Sequence, residues 1–416
     1  MKRVLVISNG CFSQTDSNGR TLAKLFSGYD REKLAMFCTY GTPDFSVCGR
    51  YYKVTDSAAL KSFLTRKSCG GVVPETQEAP AVAAGGKKKV RKTPFKALLR
   101  ELAWRFGAWR GGALQKWLEE FAPEEVLLFP GDNAFLLDLA VQVAKKFGIK
   151  ITIYTTEDYC FKNYNYLTKR ISLLYPLFYG VLKRAYRRAE PYIKLGLFNS
   201  PMLKERYQAA YSYECRCMFA RSDIEFVEKQ PGIDKTNVQV SYLGNLGLNR
   251  HLPLMEIADS LAELIPGAKL DVYGKATEDV RAAFAANENV RYKGFVSYED
   301  VVRIIHESDL VVHAEFNDPF YLKDLQAAFS TKIPDSICSG TPLLIYASEK
   351  LACTDFILKN GCGFAACSAA ELKNVLHEAL LDEKKRTQVM GMAHTVRARC
   401  FVSDAPMLSV FAETAK

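Results

Sequence analysis

Three features of the sequence predict an α/β protein made of two successive doubly wound parallel sheets. Short runs of Val, Ile and Leu end in turns of Gly, Ser, Asn or Asp, as strands buried on both faces do. Segments with helical spacing separate these runs, as crossovers between parallel strands require. The alternation lapses between Ala220 and Thr236 and then restarts, and 416 residues are too many for one hydrophobic core.

Val4 to Ile7 is the first predicted strand, followed by a Ser- and Asn-rich loop that ends at Asn18-Gly19. Gly19 at the start of the next helix permits close backbone approach by a ligand, although the Gly-x-Gly-x-x-Gly dinucleotide fingerprint is absent. Leu34 to Thr39 and Tyr51 to Val54 read as strands, with Ala58 to Thr65 helical. Cys69 to Thr93 holds two Gly pairs, two Pro and the run Lys87 to Lys92, and is expected as a mobile surface loop.

Pro94 suits a first helical position, and Phe95, Leu98, Leu99, Leu102, Ala103 and Phe106 follow at helical spacing. With the Lys run before it, Lys87 to Trp117 reads either as a membrane-surface element or as a stripe packed on the domain behind a solvated loop. Val126 to Phe129, Ile149 to Tyr154 and Tyr192 to Phe198 continue the first sheet. Ala134 to Phe147, Ile171 to Ala189 and Met202 to Tyr211 are the intervening helices.

Beyond the lapse, strands are expected at Val238 to Leu243, Leu270 to Tyr273, Val290 to Tyr292, Leu310 to His313, Leu343 to Tyr346 and Gly363 to Ala366. Leu252 to Leu264 and Glu371 to Arg399 have helical spacing, and Phe401 to Ala415 reads as a last helix. The implied domains span 1–220 and 221–399, with a closing segment at 400–416.

The net charge of +10 is unevenly divided: Met1 to Ala220 holds 35 Lys and Arg against 19 Asp and Glu, the remainder 21 against 27. A basic half suits a phosphorylated substrate or an anionic surface, and no nucleic-acid motif accompanies it. The twelve cysteines are scattered without C-x-x-C spacing, as expected of buried thiols in a reducing compartment. No signal-peptide core or run of about 20 apolar residues is present, so the expectation is a soluble cytoplasmic protein, at most peripheral to the inner face of the cell membrane.

Candidate chemistry concentrates in STKIPDSICSGTPLLI, Ser330 to Ile345. Ser330, Thr331 and Lys332 at a helix start converge N–H groups, hydroxyls and an ammonium on one point, as an anion site does. Asp335 lies one turn on and is able to accept from sugar hydroxyls; an ordinary capped helix is the plainer reading. Arg250, opening the helix after Gly244-Asn245-Leu246-Gly247, combines a fixed cation with helix N–H donors and reads as a diphosphate clamp with Lys332 as its counterpart. No Asp-x-Asp pair or His/Cys cluster has metal-ligand spacing, so neither a metal nor another cofactor is expected.

The blocks YLGNLGLNR, DVYG, NVRYKGFVSYEDV, SDLVVHAE and STKIPDSICSGTPLLIYA, in order from Ser241, resemble the donor-binding domain of GT-B glycosyltransferases, close to glycosyltransferase family 4 (group 1). ISNG, SNGRTLAKLF, FPGDNAFLLDLA and YTTEDY extend the resemblance to the first half. It implies two Rossmann-like domains facing across a cleft, with the closing segment packed back toward the first.

It also implies a metal-independent hexosyltransferase that moves sugar from a nucleoside-diphosphate sugar to a glycan or lipid-linked acceptor, in bacterial surface-polysaccharide synthesis. Arg250 and Lys332 would hold the diphosphate and Asp335 the ribose, with Gly247, Tyr273, Ser330 and Thr331 around them and backbone near Phe295 meeting the base. Asn245 replaces the family's usual Arg, and Ala327 stands where the first Glu of its paired-Glu motif belongs; Glu315 is then the expected substitute carboxylate. Asp16, Asp132 and Asp158 each follow a predicted strand of the first domain and are candidate acceptor bases, with Gly19 and Glu157 in the same loops. A sugar-nucleotide epimerase and a weakly active sugar-nucleotide-binding scaffold are the alternatives.

Overall fold

The computed structural model describes residues 1–13, 17–75, 93–165, 172–402 and 406–412. The chain forms two compact units, Met1–Met218 with Asp404–Lys416, and Phe219–Ser403.

In the first unit the elements run β1 (Val4–Ser8), α1 (Ser17–Leu25), β2 (Leu34–Cys38), β3 (Arg50–Lys53), α2 (Asp56–Thr65), β4 (Gly71–Val73), α3 (Pro94–Phe106) and α4 (Gly112–Phe121). They continue with β5 (Glu125–Phe129), α5 (Ala134–Phe147), β6 (Ile151–Thr155), α6 (Leu174–Ala189), β7 (Ile193–Phe198), α7 (Pro201–Ala210) and β8 (Glu214–Cys217). The eight strands lie in the order β4-β3-β2-β1-β5-β6-β7-β8. All pairs are parallel except β3–β4, which is antiparallel.

Central strands β1, β2, β5 and β6 are buried along their whole length, which is why they read as continuous apolar runs. Helix starts follow their caps: Thr55 Oγ1 accepts from Ala58 N, and Ser200 Oγ accepts from Leu203 N with Pro201 at the first position.

The second unit comprises β9 (Val240–Leu243), α8 (His251–Leu264), β10 (Leu270–Tyr273), α9 (Glu278–Ala285), β11 (Val290–Gly294), α10 (Tyr298–Glu307) and β12 (Leu310–Ala314). These are followed by α11 (Pro319–Leu325), α12 (Lys332–Ser339), β13 (Leu343–Tyr346), α13 (Ala352–Asn360), β14 (Phe364–Ala366), α14 (Ala369–Leu380) and α15 (Glu383–Val396). Its six strands are ordered β11-β10-β9-β12-β13-β14, all parallel. A last helix, α16 (Pro406–Phe411), belongs to the first unit and buries Met407 and Phe411 in its core, Phe411 stacking on Phe26 with centroids 6.4 Å apart.

Several expectations need correction. Within the segment read as one loop, Gly71–Val73 forms the edge strand β4; three residues carry too little pattern to be seen. The Lys87 to Lys92 run lies outside the described residues. The stretch Glu371 to Arg399 is two helices, because Asp382 caps a new one by accepting from Lys385 N. Helix α3 forms where expected, capped by Thr93, but it buries Glu101, Ala103 and Trp104 and leaves most of its apolar stripe outside.

Candidate functional site

In the second unit the carboxyl ends of β9, β10, β11 and β12 lie side by side, and the polar groups gather there. Gly244 N donates to Tyr273 O at 2.8 Å, and Gly274 N to Gly294 O at 2.8 Å, which ties the loops after three strands together. Neither glycine has room for a side chain. A Cβ at Gly274 would run into Gly244 O, and one at Gly244 would occupy the place of Lys332 Nζ.

The loop after Gly244 is shaped by Asn245, whose Oδ1 accepts from Gly247 N at 2.8 Å, while its carbonyl accepts from Tyr242 Oη at 2.8 Å. Leu248 and Asn249 then take left-handed φ of 61° and 59° and deliver Arg250 to the head of α8. The Arg250 guanidinium forks onto Glu315, just past β12, with Nε to Oε2 and Nη2 to Oε1 both 2.8 Å. Both side chains are nearly buried, at 12% and 9% exposure. The fork expected to lie open for a diphosphate is therefore filled by a carboxylate, leaving Nη1, which approaches Asn245 O at 3.3 Å.

Lys332 opens α12, with Ser330 Oγ accepting from its backbone N–H at 3.4 Å. Its Nζ lies against Gly244 and 5.2 Å from the centre of the Tyr242 ring, and it makes no hydrogen bond or ion pair among the described residues. Burial pushes its pKa down to about 8 and the nearby Arg250 adds to this, against a partial offset from Glu315 and Asp335. His313, at 3% exposure on β12, is held neutral by burial, by Lys332 and by Arg250. Among the described residues neither ring nitrogen has a hydrogen-bond partner, although Nε2 is 3.5 Å from Glu315 Oε1.

Asp335 lies in the first turn of α12, and its Oδ1 accepts from Ser222 Oγ at 2.6 Å. Thr331 and Gly247 are exposed, and Tyr273 ends β10 in a partly buried position. Phe295 is 68% exposed beyond β11, with Lys275 Nζ 4.4 Å from its ring centre. The structure thus gathers Arg250, Glu315 and Lys332, places Asp335 and Ser330 on or beside the same helix, and leaves Ala327 buried.

The first unit has a cavity of about 500 Å³ lined in part by Asn9, Lys96, Arg100, Glu101, Asp132 and Asn133. Arg100 saturates its guanidinium: Nε donates to Asp56 Oδ1 at 2.7 Å, Nη2 to Asn9 Oδ1 at 3.0 Å, and Nη1 to Asn133 Oδ1. Glu101 accepts from Ala134 N and Phe135 N, 3.0 and 3.1 Å away at the head of α5. Burial nonetheless pushes its pKa up to about 7, against the pull of Arg100 and those N–H groups.

Of the three candidate bases, Asp132 lines this cavity, whereas Asp16 lies outside the described residues. Asp158 is buried, with Oδ2 paired to Arg206 Nη1 at 2.7 Å and Oδ1 accepting from Phe161 N at 3.1 Å. Glu157 is exposed. Gly19 is buried in the first turn of α1, where a Cβ would meet Cys11 O at 2.6 Å, so its need is packing. Sequence reasoning missed His313, Ser222, Arg100 and Glu101; a His inside the aliphatic run LVVHA and an Arg-Glu pair inside an apolar stripe were the available signals.

Residues 223–393 match the family described as glycosyl transferases group 1. Among solved structures, HepE of Anabaena in complex with UDP is similar at 13% identity and a TM-score of 0.61, with 99% of each chain covered. The lipopolysaccharide outer core galactosyltransferase WaaB is similar at 13% identity and a TM-score of 0.59, covering 98% of this chain and 99% of that one. WaaG, a glycosyltransferase involved in lipopolysaccharide biosynthesis, is similar at 14% identity and a TM-score of 0.56, covering 99% and 100%. At such identities the likeness is one of fold, the two-domain GT-B arrangement of parallel α/β sheets. No curated sequence matches the chain.

Proposed function

Starting from a chain that is a group 1 glycosyltransferase by its second unit and GT-B in fold, we propose that it transfers a hexosyl group from a nucleoside-diphosphate sugar to a glycan or lipid-linked acceptor. We place the reaction in bacterial surface-polysaccharide assembly, a reading supported only by the relatives named above. The observation that carries the donor assignment is Lys332. An ammonium held at the head of α12, against the strand-end Gly244, without a counter-ion in contact among the described residues, is a site whose charge an incoming diphosphate would complete.

In this reading the diphosphate lies over Gly244, met by Lys332 Nζ and by N–H groups of the α12 first turn. Negative charge developing on the leaving nucleoside diphosphate is stabilised there without a metal ion. Arg250 acts mainly through Glu315, which it locks in place, with Nη1 as its remaining donor toward phosphate. Asp335, whose Oδ1 accepts from Ser222, is assigned to the ribose in this reading. HepE, solved with UDP and with UDP-glucose, supports a uridine donor as the first to try.

Calorimetry with UDP, GDP and dTDP on the intact chain tests the reading. Binding of at least one, lost in Lys332→Ala, is the expected result, and no binding by any of the three would remove the donor assignment. Ala327, buried where a carboxylate would be expected, favours a binding scaffold as the second reading. Nucleotide release in the presence of acceptor, absent with donor alone, separates a transferase from the scaffold and from an epimerase.

A further inference from the structure

Two observations at the head of α8 and the end of β12 belong together. Arg250 is the cation the sequence assigns to a diphosphate, yet its Nε and Nη2 are both bonded to Glu315. His313, two residues before Glu315 on β12, is 3% exposed, and among the described residues neither of its ring nitrogens has a hydrogen-bond partner. Buried polar groups are almost always met, so one left open beside a candidate binding site calls for a reason.

Oε1 of Glu315 links the two. It accepts from Arg250 Nη2 at 2.8 Å and lies 3.5 Å from His313 Nε2. A carboxylate oxygen is able to accept two hydrogen bonds, and an approach of about 0.5 Å turns that contact into an ordinary one. Burial, Lys332 and Arg250 hold the ring neutral, so it carries one proton, which the facing carboxylate assigns to Nε2.

The guanidinium of Arg250 is planar and rigid. Its Nη1, which approaches Asn245 O at 3.3 Å and Gly247 O at 3.5 Å, cannot turn toward a phosphate over Gly244 without drawing Nη2 off Oε1. Nε, bonded to Oε2, is the pivot of that turn. Without a second donor Oε1 is left buried and unmet, which is strongly unfavourable for a carboxylate. The Glu315 N–H is fixed on Tyr346 O of β13 at 3.1 Å, so adjustment falls to the side chain.

We propose that His313 is a positioning residue of the donor site: as Arg250 turns Nη1 to the diphosphate, the His313 ring donates from Nε2 to Glu315 Oε1 and holds the carboxylate in place. The inference rests on the donor reading above and adds to it a residue that acts through Glu315 rather than on the nucleotide. A His buried for packing alone keeps the same ring environment whether the site is filled or empty.

Magnetic resonance of the full chain with nitrogen-labelled histidine tests the proposal, recorded with and without saturating UDP, or GDP or dTDP where calorimetry finds that one to bind. His313→Gln identifies the His313 signals among the five histidines. The expected result is a neutral ring protonated on Nε2 in both states, with that proton shifted downfield when the nucleotide binds. In calorimetry His313→Gln, whose amide keeps a donor near the Nε2 position, should stay within about threefold of wild type, whereas His313→Met should bind about tenfold more weakly.

Thermal melts without nucleotide report whether each variant folds, and the labelled wild type decides if His313→Met does not. Nucleotide that binds without changing the His313 signals would overturn the proposal, as would a ring protonated on Nδ1 or on both nitrogens. Folded Gln and Met variants of equal affinity would do the same. If none of the three nucleotides binds, the donor reading and this inference fall together; binding with a silent His313 removes the inference alone.

Discussion

Arg100 in the first unit and Arg250 in the second each meet a carboxylate at the edge of a strand-end site, yet the two sites are charged differently. Around Arg100 every guanidinium nitrogen has an acceptor, and the strained group is an acid, Glu101, whose pKa burial pushes up to about 7. Around Arg250 the strained group is a base. Lys332 is pushed down to about 8 by burial and by Arg250, and it has no acceptor among the described residues. An anion relieves the second site and gains little at the first. The basic composition of the first half is therefore a poor guide to an anion site, because cations such as Arg100, Arg187, Arg188 and Arg206 are in completed ion pairs.

The largest expected effect tests whether the Arg250–Glu315 pair is structural. Glu315→Gln leaves a buried guanidinium without its counter-ion and should cost about 3–5 kcal/mol of stability in urea unfolding; a loss below about 1 kcal/mol would mean the fork opens readily to solvent or ligand. Next comes Lys332→Ala, expected to weaken UDP binding by about 100-fold in calorimetry, the scale of a charge-assisted hydrogen bond to phosphate. Arg100→Gln should leave UDP affinity within about twofold, and a comparable loss in both variants would erase the contrast between the sites.

A pH series sharpens the comparison further. Since Lys332 is protonated below about 8, UDP affinity should be full there and fall as pH rises through and above that value. The same lowered pKa has the opposite consequence for the unliganded fold. Between about 8 and the ordinary Lys value near 10.5 the unfolded chain holds the proton and the folded chain does not, so this contribution to stability grows with pH across that window. Lys332→Met should flatten both trends and make the unliganded protein slightly more stable below pH 8, as measured by thermal melts.

Much of the fold was legible because its signals are local. Pro94 and Thr93 opened α3, Ser200-Pro201 opened α7, and the aliphatic runs marked the central strands. Edge strand β4, of three residues, escaped because it has neither length nor period. In the candidate site, Lys332 and Asp335 were legible together since three residues on a helix share a face. Ser222 was not, because it reaches Asp335 from 113 residues away. The pairing of Asp158 with Arg206 was hidden for a related reason: a polar residue after a strand looks the same in sequence whatever it faces.

By itself the sequence determined which segments are strands and helices, where helices begin, and that cations stand at two helix heads of the second unit, since these depend on side chains within a turn or two of one another. Tertiary structure decided what those cations face. Strands β9 and β12 pair side by side, so the loop carrying Arg250 meets Glu315, 65 residues later, and Lys332 is left without an ion-pair partner among the described residues. It also decided which way α3 turns its stripe: periodicity fixes that a helix has an apolar face, but the packing of its neighbours determines whether that face looks inward or out.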